Sequence, residues 1–204
     1  MSGYWRPKAT TRIEYRQSNS RFYGTIGRAS SVDEAKAFVQ GVRDEMSDAS
    51  HHVYAFIIGH GASVTEGMSD DGEPSGTSGP PALAVLRGSD IGDVVLVITR
   101  YFGGTKLGTG GLVHAYGQTA REAVSAVELE QKIIRTTAGI EVPYHLFEQV
   151  KRLMAEYAAD IDDEDFAADV TILFRIPKDN LTAFNEALLE LSAGQIKPTI
   201  LDEG

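Results

Sequence analysis

The sequence contains no cysteine among its 204 residues. This absence excludes disulfide bonds, zinc sites built on thiolates and enzymes that use a cysteine nucleophile. No apolar run approaches the 18 or more residues that a membrane helix requires, and residues 1–16 lack the apolar centre of a signal peptide. We therefore expect a cytoplasmic protein that makes no use of a membrane.

Positive charge is also scarce, because 19 lysines and arginines accompany 29 aspartates and glutamates, for a net charge of −10. A protein that coats nucleic acid with its whole surface needs clustered basic residues, so the composition argues against that mode of binding. From Ile134 onward, six basic residues accompany 14 acidic ones. Residues 1–28 are the exception, with six basic residues and one glutamate, which predicts either a local basic surface or a solvated, partly mobile basic arm there.

Three well-known motifs are missing as well. Gly103 has Gly108 five residues later, as a P-loop requires, but Thr109 follows in place of lysine. The dinucleotide-binding fingerprint fails because Val113 stands where glycine or alanine is needed. The Gly-x-Ser-x-Gly elbow of serine hydrolases does not occur. The sequence therefore argues against these three classes of enzyme.

The hydrophobic pattern that is present predicts an α+β fold in two domains, residues 1–133 and 134–204. Ser31 and Glu34 have the spacing of a capping box, which predicts that a helix begins there. The first domain has predicted strands at 21–29, 53–58 and 94–99 and helices at 32–46, 81–86 and 111–130. The second has predicted strands at 136–142, 168–176 and 196–201, helices at 146–157 and 181–191, and an acidic turn at 160–165.

The stretch "TRYFGGTKLGTGGLVHAYG", residues 99–117, holds six of the 21 glycines between a predicted strand and a predicted helix. Such a junction presents free amides at the positive end of the helix dipole, which favours binding of an anion. Arg100 and Lys106 add positive charge. The alternative is that the glycines only permit tight turns and close packing.

Residues 61–81, which contain "SDDGEP", are predicted to form either a functional loop or a linker. Asp70, Asp71 and Glu73 could hold a hard cation such as Mg²⁺, supply a general base, or form a solvated turn. His51 and His52 are adjacent in a predicted strand, so only one of them can face a given side of the sheet.

The segments "SDDGEPSGTSGPPAL" and "VLVITRYFGGTKLGTGGLVHAYG" resemble the IMPACT family, and "SNSRF" and "HHVYAF" extend the resemblance over most of the first domain. The resemblance implies a β-α fold like that of a small-subunit ribosomal protein and an elongation factor domain, followed by a ferredoxin-like domain. A ferredoxin-like sheet has four strands where the pattern shows three, so one strand is missed or absent. Eukaryotic members influence translation initiation with an additional amino-terminal domain, which we expect to be absent here.

Our leading hypothesis is a translation-linked, RNA- or anion-binding protein that needs no cofactor. RNA, the ribosome, translation factors or another protein are the expected partners. The alternatives are an enzyme that acts on a small phosphorylated or acidic substrate with a carboxylate-bound divalent cation, and a protein-interaction module. The predicted anion-binding or nucleic-acid-binding residues are Arg21, Arg100, Lys106, Gly103, Gly104, Gly108, Gly110 and Gly111. The predicted motif-loop residues are Asp70, Asp71, Glu73 and Thr77.

Overall fold

A computed structural model describes residues 3–202, and these residues form two compact units. Tyr4–Lys132 make up the first unit, and the second runs from Ile133 and also takes in Gly3. The predicted fold class, α+β with two domains, is confirmed. Within residues 3–202, no helix is both long and apolar enough to cross a membrane.

The first unit is built on a five-stranded antiparallel sheet with the strand order β2-β3-β6-β4-β5. Helices cover both faces of this sheet, and β1 and β7 form a separate two-stranded sheet. The strands are β1 (Gly3–Pro7), β2 (Thr11–Gln17), β3 (Ser20–Arg28), β4 (His51–His60), β5 (Ser63–Ser69), β6 (Val94–Tyr101) and β7 (Leu129–Ile133). The helices are α1 (Val32–Glu45), α2 (Gly79–Arg87) and α3 (Gly108–Ala126).

The central strand β6 is buried on both faces, which is why it reads as an uninterrupted apolar run. Ile98 belongs to the core beneath α2 and α3, whereas Val97 belongs to the core beneath α1. Because side chains alternate along a strand, Arg100 lies on the α2 and α3 side and Tyr101 on the α1 side. This alternation decides which residues can share a site.

The predicted start of α1 is confirmed. Ser31 Oγ accepts a hydrogen bond of 3.1 Å from the amide of Glu34, as a capping box requires. The Glu34 carboxylate accepts its hydrogen bond from the amide of Ser30, one residue earlier than the motif predicts.

The basic amino-terminal arm is not mobile within the described residues, so that prediction is wrong. Residues 3–7 and 11–17 are strands, and residues 1 and 2 lie outside the described residues. Ile13 and Tyr15 pack on the core while the charged residues between them face outward. Strong charge on the outer face concealed this period-two pattern.

Two further boundaries differ from prediction. The first part of segment 61–81 is strand β5, which pairs with β4 although it contains few large apolar residues. The helix predicted at 111–130 begins earlier, at Gly108, and ends at Ala126 because Val127 takes up an extended conformation that leads into β7. The strand β5 was missed because it lies at the edge of the sheet. An edge strand needs only one partner and one buried face, so its apolar pattern is weak.

The second unit has the β-α-β-β-α-β order and the antiparallel strand order β11-β8-β10-β9 of a ferredoxin-like domain. The predicted acidic turn at 160–165 is wrong, because these residues form the fourth strand. Ile161 anchors that strand to the core, and β10 supplies its backbone partners. The elements are β8 (Arg135–Val142), α4 (Phe147–Glu156), β9 (Asp160–Phe166), β10 (Val170–Pro177), α5 (Leu181–Leu191) and β11 (Thr199–Asp202).

Candidate anion-binding pocket

A pocket of about 420 Å³ lies in the first unit between two loops. We call residues 70–78 the acidic loop, and residues 102–111, which include the first turn of α3, the glycine loop. The strands β4 and β6 supply the back of the pocket, and α3 begins at its mouth. Its lining residues are His51, Glu73, Pro74, Arg100, Phe102, Lys106, Leu107, Gly108, Thr109 and Leu112.

A buried ion pair forms the back of the pocket. Arg100 Nη1 donates to Glu73 Oε1 at 2.6 Å, and only 6% and 4% of the two side chains are exposed. Tyr116 on α3 donates its hydroxyl hydrogen to the same oxygen at 2.7 Å. Burial, and secondarily the neighbouring Glu73 carboxylate, raises the pKa of Tyr116, so the phenol stays protonated. Glu73 therefore joins the acidic loop, β6 and α3 at one oxygen atom.

The Arg100 side chain is held by several contacts, but not all of its hydrogen-bond donors have partners among the described residues. Its guanidinium lies 5.5 Å from the ring centroids of both Phe22 and Phe102. Its Nη2 makes a long contact of 3.4 Å to Ser20 Oγ. Its Nε is buried and has no hydrogen-bond partner among the described residues. One donor of a buried cation that lines the pocket is thus unused.

His51 pairs with Arg100 in the register of β4 and β6, which places both side chains on the pocket side. The carbonyl oxygen of Asp71 lies 2.8 Å from His51 Nδ1. Because a carbonyl can only accept, Nδ1 carries the proton, and Nε2 faces Glu73 Oε2 at 3.9 Å. His52 lies on the other face, with Nε2 3.1 Å from the Met46 carbonyl oxygen, so the predicted alternation is confirmed.

Asp70 caps the start of helix α2, although it lies eight residues before Ser78, the residue at the cap position. Its Oδ1 accepts from the amides of Ser78 and Gly79 and from the Ser78 hydroxyl, and its Oδ2 accepts from the amide of Gly76. Burial opposes ionisation, but these hydrogen bonds outweigh it, so the pKa of Asp70 is lowered. Ser78, the residue at the cap position, makes no capping bond with its own side chain. Asp70 is therefore a structural residue of the loop.

Asp71 and Thr77 also have partners within the protein. Asp71 Oδ1 accepts from Arg43 at 2.5 Å, and its Oδ2 accepts from the amide of His52 at 2.6 Å. The Thr77 hydroxyl donates to the carbonyl of Pro74 at 2.7 Å. Asp71 is also one of the few non-glycine residues with a positive φ, 45°, which turns the loop back towards β4.

The three motif carboxylates thus point to different partners and do not form one ligand set. Asp70 faces the start of α2, Asp71 faces Arg43 on α1, and Glu73 faces the pocket. Within the described part of the chain, no three histidine, aspartate or glutamate side chains are grouped as metal ligands. The carboxylate cluster that the sequence suggested for a divalent cation is therefore not assembled.

The glycine loop has few internal partners. Lys106 is exposed and has no ion pair or hydrogen bond among the described residues. In the described part of the chain, no side chain caps the first turn of α3, so its amides are free to bind a ligand. A Cβ atom added at Gly104, Gly108 or Gly110 would meet no atom within 4 Å. At Gly103, by contrast, it would lie 1.9 Å from the carbonyl oxygen of Asn19.

Arg21 does not join the pocket. It pairs in register with Tyr101 and therefore lies on the α1 side of the sheet, opposite to Arg100. Its guanidinium stacks over the Tyr101 ring at 5.1 Å and donates to the Tyr23 hydroxyl. Of the predicted anion-site residues, Arg100, Lys106 and Gly108 line the pocket, while Gly103, Gly104, Gly110 and Gly111 do not.

Most other basic residues of the amino-terminal segment are neutralised by glutamates in the same unit. The salt bridges are Arg6–Glu130, Lys8–Glu128, Arg12–Glu45, Arg16–Glu14 and Arg28–Glu130. The basic surface that composition suggested is therefore mostly an ordered set of ion pairs.

The predicted anion-binding and motif-loop residues did not include Tyr116, His51 or the apolar rim of the pocket. Tyr116 occupies an apolar position of the predicted helix, and periodicity alone cannot show that its hydroxyl reaches a carboxylate 43 residues away in sequence. Phe102 lies directly before the first pair of glycines, Gly103 and Gly104, and 49% of it is exposed. A large exposed aromatic residue next to a glycine run is the signal that could have indicated a ligand surface.

Comparison with known proteins gives one consistent result. Residues 18–124 match the model of the Impact N-terminal domain, and residues 140–195 match a domain of unknown function (DUF1949). An IMPACT family member of Haemophilus influenzae is 35% identical, and the IMPACT family member YigZ of Escherichia coli is 34% identical, each over 100% of both chains. YvyE of Bacillus subtilis is 29% identical over 96% of this chain and 89% of its own length. A crystal structure described as that of a hypothetical protein has a TM-score of 0.75 at 34% identity and covers 100% of both chains.

Proposed function

We propose that this chain, which belongs to the IMPACT family, binds a phosphate group of an RNA ligand in the pocket between the acidic and glycine loops. We assign this function to a first domain of residues 1–133, with residues 134–204 as a separate domain. The observation that carries the proposal is the uncapped start of α3 beside two basic side chains that line the same pocket, Arg100 and Lys106.

The start of α3 supplies the first part of a phosphate site. The first amides of a helix have no partner within the helix, and the helix dipole gives this end a partial positive charge. Gly108, with a φ of 72°, and the open space beside Gly110 leave the backbone accessible. A ligand oxygen can therefore approach these amides without a clash with a side chain.

Two cations supply the second part. Glu73 holds the Arg100 guanidinium in a fixed position at the back of the pocket. Lys106 is an exposed charge on the glycine loop, and no carboxylate among the described residues pairs with it. A fixed arginine and a free lysine around helix amides are suited to an anion with several oxygen atoms.

The rim of the pocket favours an RNA ligand over inorganic phosphate. Phe102 offers an exposed ring on which a base can stack, and base–aromatic stacking is sequence-tolerant. Pro74, Leu107 and Leu112 continue this apolar rim. An unpaired nucleotide presents both an aromatic base and a phosphate, so single-stranded RNA matches the pocket better than a duplex does. A cytoplasmic, translation-linked role is consistent with such a ligand and is part of the proposal.

The test is fluorescence anisotropy of the full chain with labelled single-stranded and hairpin RNAs at several salt concentrations. Lys106→Ala should weaken binding to all single-stranded sequences and lower the salt slope by about 1, since one phosphate contact is lost. Lys36→Ala is the matched control, because Lys36 is an exposed lysine on α1, across the sheet from the pocket. Equal losses in the two variants, or no binding by the unchanged protein at low salt, would overturn the proposal.

A further inference from the structure

The four-stranded sheet of the second unit has one face without a helix. The helices α4 and α5 pack on the face that carries Ile140 and Ile172, while Glu141 and Thr171 on the opposite face are exposed. A groove of about 700 Å³ crosses this open face. Its floor is Gly139, where an added Cβ would meet nothing closer than 3.9 Å, and its lining includes Leu173 and Leu201.

The acidic residues of β9 divide into two groups. Three of them are neutralised inside the unit, in the pairs Asp160–Arg135, Asp162–Arg175 and Glu164–Lys151. Asp163 and Asp165 are exposed and have no ion pair among the described residues, and the same holds for Glu141 on β8. The unit therefore neutralises some of its acids and leaves a distinct set on the open face.

The sheet register fixes how these free acids are arranged. Thr171 pairs with Glu141 on one side and with Asp165 on the other, so the three residues form a row across β8, β10 and β9. Asp163 lies one row further on, beside Leu173. At ordinary strand spacings, Glu141 and Asp165 are about 10 Å apart, and Asp163 and Asp165 about 7 Å apart. The shorter distance is that between alternate residues of an extended chain.

Protection of a sheet edge does not account for this pattern. Charged residues on an edge strand discourage pairing with other chains, which could explain the acids of β9. Glu141, however, lies on β8, an inner strand between β11 and β10. Asp169 adds a further acid to the groove lining, against the single basic residue Lys197. The negative charge therefore belongs to the face and not only to its edge.

We infer that this open face binds an extended, lysine- or arginine-rich segment of a partner protein. Basic side chains at alternate positions of the segment lie against Asp163 and Asp165, with Glu141 as a third contact. An apolar side chain between them fills the space above Gly139, beside Leu173 and Leu201. Complementary charge gives such a surface its specificity and excludes RNA, whose phosphates the carboxylates repel.

The test uses the full chain and a short fluorescein-labelled peptide in which lysine alternates with threonine around one central leucine. Glu141→Gln/Asp163→Asn/Asp165→Asn should raise the Kd about tenfold or more, since three rim contacts are lost. Glu148→Gln/Glu156→Gln/Glu186→Gln makes the same change in charge on the helical side and should leave the Kd within about threefold. Gly139→Val should fold, because the site has room and valine favours strands, but should block the groove and weaken binding.

Several results would overturn the inference. They are equal losses of affinity in the two triple variants, unchanged affinity in Gly139→Val, binding of a glutamate version of the peptide with the same Kd, and no binding of the lysine peptide at low salt. Displacement of the lysine peptide by single-stranded RNA that survives in Lys106→Ala would also overturn it, because RNA would then be the occupant of this face.

Discussion

The two loops of the pocket are built in opposite ways. Every carboxylate of the acidic loop is bound by groups within the protein: Asp70 by backbone amides, Asp71 by Arg43, and Glu73 by Arg100 and Tyr116. In the glycine loop, the first turn of α3 instead offers amides without a side-chain cap, and Lys106 has no ion pair among the described residues. The acidic motif is therefore the scaffold of the site, whereas the glycine motif is the part that can bind a ligand.

The largest effect should come from breaking the scaffold at Glu73. Glu73→Ala leaves Arg100 buried without its counter-ion, and we expect a loss of about 3–5 kcal/mol in the free energy of unfolding, measured with denaturant. Glu66→Ala is the matched control, because it breaks a glutamate–arginine pair whose arginine, Arg87, is 59% exposed. That variant should lose less than about 1 kcal/mol. Similar losses in both would contradict the structural role of Glu73.

The next effect should differ in sign between two glycines of the glycine loop. Gly103→Ala should destabilise the fold by about 1–3 kcal/mol, because the new methyl group would overlap the carbonyl of Asn19. Gly110→Ala has open space and lies in the first turn of α3, so it should stabilise the protein by up to about 1 kcal/mol. Thermal and denaturant unfolding measure both changes. A stabilised Gly103→Ala would show that the loop does not pack on Asn19.

Only part of the fold could be predicted from the sequence. Runs of β-branched residues and apolar residues at helical spacing were enough to predict the strands β4 and β6, the helices α1 and α3 and the two-domain α+β fold. It failed at β2, β5 and β9, because these strands carry charged or small residues and owe their structure to pairing with a neighbour. Local periodicity does not record such pairing.

The site was only partly predictable for a similar reason. Motif spacing brought Arg100, Lys106 and the acidic loop into one hypothesis. The spacing of the motifs could not show that Glu73 would form an ion pair with Arg100. It also could not show that strand alternation would place Arg21 on the opposite face of the sheet. Both outcomes depend on sheet register, which is fixed by residues far apart in the chain.

A smaller effect should follow from removing the cap of α2. Asp70→Ala loses four hydrogen bonds and should cost about 1–2 kcal/mol at neutral pH. Because the folded pKa of Asp70 is lowered, its stabilisation is present above the unfolded pKa of about 3.9 and is lost as the pH falls through the folded value. Asp70→Asn should therefore reduce the loss of stability in acid. Identical pH profiles would contradict this role.

The smallest effect on folding should be that of Lys106→Ala. Lys106 is exposed and has no ion pair within residues 3–202, so the free energy of unfolding should change by less than about 0.5 kcal/mol while RNA affinity falls. Denaturant unfolding and anisotropy on the same preparation separate the two readouts. A variant that unfolds more easily and binds RNA normally would contradict the claim that the glycine loop binds the ligand and the acidic loop is the scaffold.

The most direct measurement is a titration of the ¹⁵N-labelled protein with inorganic phosphate, followed by NMR. We expect chemical-shift changes concentrated at the amides of Gly108–Gly111 and at the Nε–H signal of Arg100. These changes should be smaller in Lys106→Ala but not in Lys36→Ala. Shifts confined to other parts of the chain, with Arg100 Nε–H and the first turn of α3 unchanged, would contradict the claim that the glycine loop receives the ligand.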